Sequence, residues 1–190
     1  ALTKDFYNEL FKWFLWAIDE ETGVTYPNNP NIPEDDREKI EQKIIRLIAR
    51  LLFVWFIRQR HLVPDHLFDE HALRGVLRDF DPQAMDSGCY YNAILQNLFF
   101  ATLNSEIGAR AFATRPNRRD IKTLYRYSEL ISIGAAEVLQ LFESIPFLNG
   151  GLFECLDKVN EFDDEAYAYD GFSRNGAMFS DGRYKHRAFI

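Results

Sequence analysis

The chain has 190 residues, 47% of them hydrophobic and 15% aromatic with seventeen Phe, which is enough for one sizeable packed core and excludes a disordered or low-complexity chain. Its formal charge is -7, and its two cysteines, Cys89 and Cys155, exclude a disulfide framework, so buried thiols in a reducing cytoplasm are expected. The most apolar run, 44–57, spans fourteen residues and carries Arg46 and Arg50, whereas a membrane span needs about 20 apolar residues, so a soluble protein is expected.

In chain order, Phe6, Leu10, Trp13, Phe14 and Ala17 recur at helical spacing and predict a helix over 3–20 with Thr3 as its N-cap. Gly23 and Tyr26-Pro27-Asn28-Asn29-Pro30-Asn31 predict a loop. A long helix should follow. Asn31 can cap it, Pro33 suits its first turn, and Glu34, Asp35 and Asp36 suit the positive end of its dipole. Arg58 and Arg60 suit the far end, and Pro64 closes it. Ile40, Ile44, Leu47, Ile48, Leu51, Leu52 and Trp55 form its apolar stripe, and beyond Leu51 nearly every face is apolar. Its second half is therefore expected to be the central, buried helix, with Ile44, Leu47, Leu51, Leu52, Trp55 and Phe56 as the central packing.

Shorter helices are predicted over 69–79, 88–104, 118–131 and 133–144, with Asp69 and Ser87 as caps for the first two. Pro146 ends the last of them, and Asn149-Gly150-Gly151 can take positive φ to reverse the chain. After Leu156 the periodicity fails, and Gly171, Gly176 and Gly182 interrupt a polar tail with room for short strands, for example at 186–190. The fold class read from this is mainly α: an irregular multi-helix bundle around a long central helix, with an irregular C-terminal tail. The division is a helical domain, 1–156, and an irregular acidic, Gly-containing segment, 157–190.

Chemistry is sparse. His61, His66 and His71 are five residues apart around Pro64, not at the i, i+4 spacing of helical zinc ligands, so no metal site is assigned. Glu41-Gln42-Lys43 imitates half of a nuclease signature but lies in a helical pattern with no supporting strand. Arg60 and His66 resemble, loosely, the Arg-to-His spacing of all-helical HEPN ribonucleases, with Pro64 breaking the helix between them. No Walker-type phosphate loop, no Gly-x-Ser-x-Gly elbow, no Asn-Pro-Pro-aromatic motif and no Phe-x-Gly-x-Gly loop occurs, and no catalytic residue is assigned.

Charge is distributed unevenly. Residues 37–60 carry a net charge of +5, 110–126 another +5, and 154–170 carry −6. Lys39, Lys43, Arg46 and Arg50 step by 4, 3 and 4, one helix face opposite the apolar stripe, and such a row can follow phosphates. Arg115, Arg118, Arg119 and Lys122, with Arg110 and Arg126 at the ends of their segment, would extend it. The competing readings are an ordinary solvated face, or pairing with Glu154, Asp157, Glu161, Asp163, Asp164 and Glu165.

Five segments, in order, resemble one family. They are Leu2-Thr3-Lys4-Asp5-Phe6-Tyr7-Asn8-Glu9-Leu10, Ile45-Arg46-Leu47-Ile48-Ala49-Arg50-Leu51-Leu52-Phe53, 91–104 from Tyr91-Asn92-Ala93 to Thr102-Leu103-Asn104, Pro146-Phe147-Leu148-Asn149-Gly150-Gly151-Leu152-Phe153-Glu154, and Arg187-Ala188-Phe189-Ile190. Together they resemble the region upstream of the methylase domain in single-chain type II (type IIG) restriction–modification enzymes and in large adenine-specific DNA methylases of phage-defence systems. The resemblance implies a non-catalytic helical spacer between nuclease-like and methylase modules. It also implies a parent that uses S-adenosylmethionine and acts on double-stranded DNA, with no catalytic residue to carry over. The alternatives are a free-standing helical ribonuclease and a protein-interaction module.

Overall fold

The computed structural model describes residues 2–19, 34–83, 89–114, 123–148, 150–155, 158–160 and 166–168. The fold is mainly helical. Helix α1 spans Leu2–Ala17, so Thr3 lies inside its first turn rather than capping it. It meets α2, Glu34–Arg58, with Trp13, Phe14, Ala17 and Ile18 turned to the core, and leaves Tyr7, Phe11 and Leu15 exposed. Among the described residues no helix is long and apolar enough to cross a membrane. The expected caps Asn31 and Ser87, and the strand expected at 186–190, lie outside the described residues.

Helix α2 ends by a specific hydrogen-bond pattern rather than at Pro64. The Leu62 N–H donates to Ile57 O at 3.1 Å and the His61 N–H to Arg58 O at 2.8 Å, while His61 takes φ 58°. This is the Schellman arrangement with a histidine where glycine is usual. A 3₁₀ turn, Asp65–Phe68, leads to α3, Glu70–Val76, whose N-terminus is capped by Asp69 Oδ1 accepting from the Ala72 N–H at 2.7 Å. Arg58 Nε donates to Asp65 Oδ1 at 2.6 Å and closes this corner.

The centre of the core is not the second half of α2 but the following helical segment. Every residue from 89 to 103 is buried. This segment, Tyr91–Leu95 and Asn97–Leu103 joined by Gln96, is wound wider than an α-helix: the Gln96 N–H donates to Tyr91 O, five residues back. Two interior side chains favour the wide winding. Asn97 Nδ2 donates to Ala93 O at 2.9 Å, the carbonyl an α-helical Asn97 N–H would use, and Thr102 Oγ1 donates to Asn97 O at 2.9 Å. By contrast Trp55 and Phe56, expected in the core, are exposed, and Leu51 and Leu52 are half-buried, while Ile44 and Leu47 are buried as expected and Val54 and Ile57 complete the face.

The second departure lies at 123–131, expected to be helical. Tyr125 is extended and bonded to a neighbouring strand-like segment, its N–H to Ala111 O and its C=O from the Ala113 N–H, both at 2.9 Å. Tyr127 takes φ 62° and only a single 3₁₀ turn follows, Ser128–Leu130. Asn97 explains this: its Oδ1 accepts the Arg126 N–H and its Nδ2 donates to Arg126 O, both at 2.9 Å. The side-chain amide imitates a β-ladder partner, so this backbone is satisfied without a helix.

Helix α4, Ala135–Phe142, begins where Glu137 Oε2 accepts the Gly134 N–H at 2.8 Å. The chain then crosses the end of the wide helix, the Leu148 N–H reaching Leu103 O at 2.8 Å, and makes a 3₁₀ turn at Gly151–Phe153 that buries Phe153 against Phe53 and Phe99. Gly150 is extended at φ -162°, and a Cβ at Gly150 or Gly151 would meet nothing within 4 Å. Positive φ is not what turns the chain at these two glycines; Asn149 lies outside the described residues. Beyond the corner, β1 (Lys158–Asn160) and β2 (Ala166–Ala168) form an antiparallel pair with Val159 opposite Tyr167.

Candidate nucleic-acid interface

The basic row on α2 divides into two kinds of residue. Arg50 follows Leu47 by three positions and precedes Val54 by four, so it shares the core-facing side with both, and it is 4% exposed. Its Nε donates to Leu152 O at 2.7 Å and a terminal nitrogen to Glu154 O at 2.8 Å. The guanidinium also lies over the Phe100 ring at 4.9 Å and near Phe99 at 5.8 Å. Arg50 is thus corrected from a phosphate contact to an interior fork that ties α2 to the 150–154 turn. A planar five-donor group suits that task as lysine would not.

Lys43 and Arg46 are half-buried on α2, and Lys39 lies further toward its N-terminus. Arg46 has interactions of its own within the fold. Arg115, Arg118, Arg119 and Lys122 lie outside the described residues. The two arginines bounding that segment turn inward. Arg110 donates to Thr102 O at 3.0 Å, Phe142 O at 2.9 Å and Ile145 O at 2.7 Å, placing one cation against the carbonyl-rich C-terminal ends of both the wide helix and α4. Burial lowers the Arg110 pKa below the usual guanidinium value. Arg126 is buried, bonded to Gln96 Oε1 and stacked near Tyr127 at 5.1 Å. Arg78 Nε donates to Ile131 O at 2.7 Å.

Local composition therefore overstates the basic surface. Arg50, Arg110 and Arg126 contribute to the two +5 segments, yet each is engaged inside the fold. Sequence reasoning missed Arg50 as a core residue, although an arginine at i+3 from Leu47 and i−4 from Val54 is a readable signal. The role of Asn97 had no comparable signal.

The ribonuclease pair is not assembled. Arg60 lies over the Phe56 ring at 5.4 Å, His66 sits on the 3₁₀ turn after Pro64, and neither bonds to the other. His61 serves as the left-handed residue ending α2 and His71 is exposed on α3. Cys89 is buried and Cys155 half-buried, and no disulfide joins them.

Over 132 residues, 70% of its length, the chain is 28% identical to a protein of Methanocaldococcus jannaschii named "Putative type II restriction enzyme and methyltransferase". The matched part is 9% of that protein, so the chain spans less than a tenth of the relative's length. No protein-family model matches the chain. No solved structure matches it.

Proposed function

We propose that this chain is a non-catalytic helical connector within a DNA adenine-N6 methyltransferase of the restriction–modification or phage-defence type. It would hold nuclease and methylase modules at a set separation and touch the DNA backbone between them. The observation that carries the reading is the similarity to a far longer restriction enzyme and methyltransferase. The physical support is stiffness. Arg50, Arg78, Arg110 and Asn97 each pin a segment that is 102, 53, 35 and 29 positions away in sequence, so the helices are cross-tied by polar forks as well as by apolar packing. In this reading 1–156 is the body and 157–190 leads toward the next module.

S-adenosylmethionine would be held elsewhere in such an enzyme. The glycine turn does not fit it. The Phe153 and Glu154 N–H groups donate to Gly150 O and Gly151 O, and the Leu152 and Glu154 carbonyls accept from Arg50. Contacts to double-stranded DNA would come from Lys39, Lys43 and Arg46, with Arg115, Arg118, Arg119 and Lys122, and without Arg50. They would be contacts to phosphate, not to base edges.

The test is fluorescence anisotropy of the 190-residue chain on a labelled duplex across a salt series. Weak, sequence-independent binding is expected. Lys39→Glu combined with Lys43→Glu should lower the slope of log K against log salt by about 2, near 0.9 per phosphate contact. Binding and slope both unchanged in the double variant would remove the phosphate row.

A further inference from the structure

We draw no further inference here: the strongest candidate, the buried polar cluster of Gln96 and Arg126 where the wide helix meets the 125–127 segment, carries nothing, because nothing among the described residues shows what would occupy it.

Discussion

Arg50→Met separates an interior arginine from a surface one. Methionine keeps most of the apolar stem and removes two cation-to-carbonyl hydrogen bonds, to Leu152 O and Glu154 O, and the contact with the Phe100 ring. Hydrogen bonds from a charged group contribute about 1.5–3 kcal/mol each, and a cation–π contact about 1 kcal/mol. The full sum overstates the loss. Leu152 is only half-buried and Glu154 is exposed, so water can reach the freed carbonyls, and the variant is relieved of a buried charge. A net loss of about 3 kcal/mol is expected, which for a chain of this length lowers Tm by about 6–12 °C. Arg50→Lys, with a charge but no fork, should fall between variant and parent. Arg60→Met is the control, since Arg60 stacks on an exposed ring at the surface, and it should stay within about 2 °C of the parent. The assay is thermal unfolding followed by near-ultraviolet circular dichroism, where the Phe99, Phe100 and Phe153 cluster reports on packing. Arg50→Met melting together with Arg60→Met would refute the fork.

Asn97→Leu should cost about 3 kcal/mol in urea unfolding, because it leaves the buried Arg126 N–H and C=O without their partner; a loss below about 1 kcal/mol would contradict the role given to Asn97. Burial raises the phenol pKa of Tyr90, whose hydroxyl donates to Leu67 O, and of Tyr125, partly offset there by its hydrogen bond with Thr102. The raised folded values mean that above the unfolded phenol pKa, near 10, the unfolded chain has released protons that the folded chain retains. Stability from these two groups is therefore complete below that pH and is lost as pH climbs from there through the folded values. Tyr90→Phe should flatten that alkaline decline, and an unchanged decline in urea midpoint against pH would refute it.

Helix ends were legible where a local group sets them. Asp69 caps α3 as its sequence context indicates, and the acidic start of α2 and its basic end bracket the helix found at Glu34–Arg58. What failed to read was decided by long-range pairing. Beyond Leu51 nearly every face of α2 is apolar, so apolar periodicity alone does not distinguish Val54 and Ile57, which are buried, from Trp55 and Phe56, which are exposed. The distinction comes from Arg50: once its fork reaches the 150–154 turn, α2 must present that side inward, which carries Trp55 outward. Similarly, residues 123–131 have a helical pattern, but an amide 29 positions away bonds the Arg126 backbone and holds it extended. The basic row suffered most. Charge counted along the chain cannot separate a guanidinium bound to carbonyls from one facing solvent, and Arg50, Arg110 and Arg126 are of the first kind.

The connector claim is tested most directly by reading the native gene on both sides of these residues. The account predicts one open frame continuing past Ile190 into an S-adenosylmethionine loop and an Asn-Pro-Pro-aromatic motif within a few hundred codons. A stop codon soon after Ile190, with no methylase in frame, would contradict it.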